Sequence, residues 1–160
     1  MRKVLFSFLI ALVGISTMAQ QLAERADSER WQQYANYTMT IDMDVESNQF
    51  EGKQTIEYTN NSPDALDQVF YHLYFNAFQP GSMMDVRSRT IADPDGRVRD
   101  RISKLSESEI GYQKVNSLTM NGKAVDYQVE GTVLEVDLPS PIQPGQTVTF
   151  EMDFDGQVPV

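Results

Sequence analysis

The side chain with the widest chemical repertoire in this sequence is His72, the only histidine among 160 residues. Imidazole binds metals and moves protons near neutral pH. A zinc site, however, takes three or four protein ligands, and His or Cys supply most of them. The chain has no Cys and no His-Glu-x-x-His pair. Thiolate zinc sites, cysteine nucleophiles and disulfides are therefore excluded. A Ser-His-Asp triad would need His72 as its base, and no Gly-x-Ser-x-Gly elbow is present. His72 lies within a strongly apolar stretch and is expected to be a hydrogen-bonded core or interface residue.

The other chemistry-bearing groups are carboxylates and guanidiniums. Asp93-Pro94-Asp95-Gly96, followed by Asp100, has some of the oxygens of a calcium loop. Such a loop needs ligands at alternate positions and a closing Glu, and Pro94 with Arg97, Val98 and Arg99 breaks that spacing. Pro-Asp-Gly is expected to be simply a turn. Carboxylates for glycoside hydrolysis are plentiful by count, but Asp42, Asp44, Glu135, Asp137, Glu151 and Asp153 fall on outward positions of alternating strands, as solubilising charge. Arg87, Arg89, Arg97, Arg99 and Arg101 are interleaved with Asp85, Asp93, Asp95 and Asp100. That cluster is able to receive an anion, yet local ion pairs are the expected use, each worth little. No Gly-rich phosphate loop occurs. No catalytic, cofactor-binding or metal-binding residue is assigned in this chain.

The elements that carry these groups begin after a distinct N-terminal segment. Arg2 and Lys3 precede the apolar run 4–15, and small residues lead to Ala19. This is the pattern of a cleaved secretory signal peptide over residues 1–19, and the run is shorter than the roughly 20 residues of a membrane span. The product is expected in the periplasm or outside the cell, with no membrane attachment after cleavage. Two of the 13 basic residues lie in this segment, so the remainder carries 11 basic against 23 acidic groups. That acidity opposes phosphate backbones, and nucleic acid is excluded as a partner.

Residues 20–36 read as a polar leader with a short helix capped at Asp27 or Ser28 and anchored by Trp31. From residue 37 the pattern is β, and residues 37–160 are expected to form one domain. Tyr37, Met39, Ile41, Met43 and Val45 alternate with polar residues, predicting a half-buried strand with all five on one inward face. Residues 50–59 follow as its hairpin partner with Ile56 and Tyr58 inward, closed by a turn at Asn60, Asn61, Ser62 and Pro63. Residues 68–78 are apolar on both faces, which predicts a central strand covered on both sides. Residues 79–112 are expected to be a long irregular, charged insertion. Asn121-Gly122 is a two-residue hairpin turn between a strand at 115–120 and another at 124–130. A further strand places Leu134, Val136 and Leu138 on one face, and Pro139, Pro141, Pro144 and Gly145 make the next connection. The last strand turns Val148, Phe150, Met152 and Phe154 inward. The fold class expected is all-β, an antiparallel sandwich or saddle of about seven strands.

The order of these segments resembles the N-terminal domain of aminopeptidase N-like (gluzincin) zinc metallopeptidases. The residues that carry the likeness are the alternating acidic first strand at 37–45 and a Phe-x-Gly turn at Phe50, Glu51 and Gly52. The Asn121-Gly122-Lys123 hairpin and Pro144-Gly145 before the last strand complete the set. The stretch from Tyr71 to Arg101 looks most like exported bacterial members, and the likeness covers residues 37–158. It implies that zinc, its His-Glu-x-x-His helix and the substrate-recognising residues belong to a following catalytic domain that this chain lacks. No site residue is transferred.

The resemblance and the doubly apolar strand together give a role: a non-catalytic domain that packs on a catalytic domain and helps shape its cleft, with Phe70, Tyr74 and Phe78 at the interface. Peptides would be substrates of the parent enzyme. The alternative is a stand-alone secreted β-sandwich binding module, with Trp31, Tyr112 or Tyr127 as contacts. A periplasmic chaperone with an open strand edge is a third reading.

Overall fold

The structure is a computed structural model that describes residues 31–91 and 96–160, of which residues 33–160 form one compact unit. The signal segment, residues 20–30 of the leader and Asp93–Asp95 lie outside the described residues; the rest of the expected leader is not helical, since residues 31–33 form no element and Tyr34 already opens the first strand. The protein is all-β: two antiparallel sheets packed face to face. The strands are β1 (Tyr34–Asp44), β2 (Gln49–Thr59), β3 (Leu66–His72), β4 (Tyr112–Met120), β5 (Lys123–Ala124), β6 (Asp126–Glu130), β7 (Val133–Ile142) and β8 (Thr147–Gln157). The larger sheet has the order β1-β2-β8-β4-β5 and the smaller β3-β7-β6.

The core forms where the two inner faces meet. Register pairs Ile56 with Phe150 and Phe150 with Met120, and, one layer on, Met152 with Leu118. Leu134, Val136 and Ile142 of β7 are completely buried against them. Each such side chain contributes roughly 1.5–3 kcal/mol by leaving water. Tyr71 joins them edge-on to Phe150, with ring centroids 6.3 Å apart.

The turns are those the sequence demands. Asn121 and Gly122 take φ of 51° and 75°, the left-handed pair of a tight hairpin. The connection at 60–63 is more than a turn. Asn60 is wholly buried, and its amide donates to the carbonyls of Asp64 and Ile142, both at 2.8 Å. Its Oδ1 accepts from the backbone N–H and hydroxyl of Ser62 and from Gln33. Every polar atom of the group is thus satisfied, as burial requires.

Several expectations are corrected. The apolar row of β1 is exposed rather than half-buried: the smaller sheet has three strands against five and does not reach the β1 edge. The stretch 68–78 is not one central strand. β3 ends at His72 and is an edge strand paired only with β7 among the described residues, and Tyr74–Phe78 is a 3-10 turn. Asn76 bends the chain there, donating to Gly131 carbonyl at 3.1 Å and accepting from Gln113 N–H at 2.7 Å. Pro139 and Pro141 lie inside β7, where the β3–β7 register shifts between Leu66 and Gln68, so no ladder partner is lost. The segment 124–130 divides between the two sheets as β5 and β6. The insertion holds a helix, α1 (Met83–Thr90), and a 3-10 turn at Ile102–Lys104. Phe50-Glu51-Gly52 is no turn but the interior of β2.

Candidate functional site

Two surfaces carry exposed apolar groups in an ordered arrangement. The first is on β3 and the turn after it. Gln68, Phe70 and His72 share the outer face of the smaller sheet, since Val69 and Tyr71 turn toward the core. Phe70 is 61% and Tyr74 68% exposed. The His72 and Tyr74 rings meet edge-on with centroids 4.7 Å apart. His72 is therefore a surface residue, which removes the core placement and leaves the interface one of the two expected for it. Phe70 stands opposite Glu135. Gln68 donates to both Glu135 (2.9 Å) and Asp137 (2.7 Å). The result is an aromatic ridge, Phe70–His72–Tyr74, rimmed by fixed carboxylates.

Phe78 is not part of that ridge. The 3-10 turn carries it, half-buried, toward the insertion, where it lines a cleft of about 140 Å³ with Arg97, Arg101, Ile102 and Leu105. Gly111 lets this closure happen. A Cβ there would stand 2.7 Å from the Phe75 carbonyl and 3.2 Å from Phe78 Cβ. Gly111 N–H donates to the Phe78 carbonyl at 3.0 Å.

The second surface is β1. Its register puts Tyr37, Met39, Ile41 and Met43 on the same face as Ile56, Gln54, Gly52 and Phe50, so they extend the core-facing surface beyond its cover. All four are 45–54% exposed. On the opposite face Asp42 stands opposite Glu51 and Glu51 opposite Asp155, three carboxylates in one row ending at Lys114. Asp44 is held below the usual carboxylate range by the Ser47 hydroxyl, 2.8 Å away, and by the Glu46 N–H.

The insertion is organised by Asp85, a side chain the sequence reading placed only within a charged cluster. Its carboxylate is buried and receives Arg89 twice, Nε and Nη2 both at 2.9 Å, and the N–H of Gly81 at 2.9 Å. The Arg89 hydrogen bonds, then Gly81, hold it below its ordinary range. Ser82 caps α1 by accepting from Asp85 N–H. Lys104 pairs with Asp100 at 2.7 Å, and Arg101 donates to the Val160 carbonyl. The far end of the insertion is pinned by Gln157, itself buried, which donates to the carbonyls of Glu107 and Ile110 and accepts from Gln49.

Of the residues of the binding-module alternative, Tyr112 and Tyr127 stand in different sheets. Trp31 is half exposed. Tyr112 lies beside Gln157 in the larger sheet, whereas Tyr127 pairs with buried Val136 and donates to Val115 carbonyl at 3.1 Å. Zinc, which the sequence resemblance implies for a parent enzyme, does not fit here: no three His, Cys, Asp or Glu among the described residues come together as a metal site.

No family model matches the chain, and no curated protein matches it. Among solved structures it is similar to a mutant two-domain M1 zinc metallopeptidase bound to L-tryptophan. The identity is 14% over 81% of this chain and 21% of the other, with a TM-score of 0.49. It is also similar to an M1 zinc metallopeptidase from Deinococcus radiodurans, at 16% identity over 76% of this chain and 19% of that one, TM-score 0.47. The chain thus spans about a fifth of the length of these structures.

Proposed function

We propose that this chain is the non-catalytic N-terminal β domain of an exported zinc-dependent aminopeptidase-like metallopeptidase, packing on a catalytic domain and helping to shape its cleft. The observation that carries the reading is the ridge of Phe70, His72 and Tyr74. It turns large apolar side chains away from the protein's own core, and an ordered aromatic patch of that kind is a contact surface for another folded body. The order of motifs along residues 37–158 supports the identity of that body. Zinc and peptide substrates belong to the catalytic domain in this reading.

Sequencing the coding DNA beyond the codon for Val160 tests it. An in-frame continuation with His-Glu-x-x-His and a later Glu is the expected result. A stop codon at that point would overturn the reading.

A further inference from the structure

Among the described residues β1 is an edge strand, and its only charged side chains, Asp42 and Asp44, lie at one end of it. It pairs with β2 through eleven consecutive positions without a bulge, and with nothing else among the described residues. Its sequence, YANYTMTIDMD, has no Pro and no Lys. Natural edges are generally blunted by one of these devices, because alternate residues present unpaired N–H and C=O groups to any incoming strand. The two faces of β1 differ in kind. One carries Tyr37, Met39, Ile41 and Met43, all exposed. The other carries Asp42 and Asp44, backed by Glu51 and Asp155, with Lys53 the one cation facing β1 across the pair.

We infer that β1 is a docking edge for an extended segment of another protein chain in which apolar and basic residues alternate. The segment adds as a sixth strand to the larger sheet. Its backbone takes the open hydrogen bonds of β1, its apolar residues continue the Met39–Ile41–Met43 row, and its Lys or Arg residues lie over the carboxylates of the other face. Charge selects the occupant: the face next to the edge is acidic, and the whole chain carries −10. A second copy, equally acidic, is opposed by the same field that favours a basic strand. This edge belongs to a different sheet from the aromatic ridge, and the inference does not rest on the reading above.

The test uses three fluorescent nonapeptides titrated with the protein: alternating Val and Lys, the same composition scrambled to break the alternation, and alternating Val and Glu. The alternating Val–Lys peptide is expected to bind at least about tenfold tighter than either control, a difference of about 1.4 kcal/mol. Hydrogen exchange is expected to slow at β1 amides when it binds. Ile41→Lys, which points a charge into the apolar row of an already exposed position, should abolish binding while leaving the melting temperature near that of the parent. Asp42→Asn with Asp44→Asn should weaken the Val–Lys peptide alone. Equal binding of the scrambled peptide would overturn the inference, reducing the effect to bulk charge. So would a concentration-dependent dimer lost in Ile41→Lys without peptide binding, because the occupant would then be a second copy.

Discussion

The ring of Phe154 lies on the bare Cα of Gly52, its directly paired residue on the neighbouring strand, and Phe50 lies in the same way on Gly156. Phe50-x-Gly52 on β2 and Phe154-x-Gly156 on β8 are thus two copies of one motif, run antiparallel so that each ring covers the other copy's glycine. The two rings meet edge-on with centroids 6.3 Å apart, and Phe75 of the 3-10 turn adds a third ring 6.1 Å from Phe50. Aromatic cover of this kind recovers packing that a strand glycine would otherwise forfeit. A Cβ at Gly52 would stand 2.6 Å from Phe154 Cε2, so the ring must swing away. Gly52→Ala is expected to cost about 1–3 kcal/mol in urea unfolding. In a Phe154→Leu background the same substitution should cost distinctly less, the coupling expected of residues in contact.

Asn60 offers a sharper contrast between shape and hydrogen-bond polarity. Asn60→Asp keeps the size of the side chain but replaces a donor with an acceptor aimed at two carbonyls, those of Asp64 and Ile142. The buried Ile142 carbonyl loses this donor, the part-buried Asp64 carbonyl keeps only the Ser62 hydroxyl, and a charge is left facing both. A loss of about 3 kcal/mol or more is expected for the Asp variant. Asn60→Ala should cost less than Asn60→Asp. Thermal melts of both variants check the order.

How much of this was legible in the sequence depends on whether a feature is local. Alternation located the strands, and Asn121-Gly122 fixed its hairpin, because strand period and left-handed turn residues are properties of neighbouring positions. Alternation did not say whether the apolar row of β1 finds a cover, since that depends on how wide the opposing sheet is. The end of β3 is hidden in the sequence for the same reason. The bend after Leu73 is made by Asn76 with Gln113 and Gly131, residues 37 and 55 positions away. The Phe-x-Gly at Phe50 was visible, but its meaning lay in the second copy at Phe154.

Asp85 predicts an acid-sensitive insertion. Its folded carboxyl is depressed by Arg89 first and then by the Gly81 N–H, relative to an ordinary value of about 3.9. A depressed acid stabilises the fold fully above that ordinary value, and the contribution is lost as pH falls through the lower, folded one. The protection factors of the α1 amides should therefore fall below about pH 4 while those of the sheet amides persist. In Asp85→Asn, which cannot ionise, the α1 amides should exchange faster at neutral pH, with no further acid step from this group.

Phe70, Tyr74 and Phe78, one interface on the pattern of the sequence, fall into two energetic classes in the structure. Tyr74 is exposed and touches His72 at its edge, so Tyr74→Ser should change the stability of this chain by no more than about 0.5 kcal/mol, as surface substitutions do. Phe78 packs beside Gly111 and Ile102, so Phe78→Ser should destabilise the chain by itself and loosen the insertion. If the aromatic ridge meets a catalytic domain, the ranking changes in the full-length parent. Tyr74→Ser and Phe70→Ser then acquire a cost there that they lack here, while the cost of Phe78→Ser stays the same in both settings. Melting each variant in both contexts measures the difference. An equal, negligible cost of Tyr74→Ser and Phe70→Ser in both would mean that the ridge meets solvent in the parent as well, and the packing role would fall.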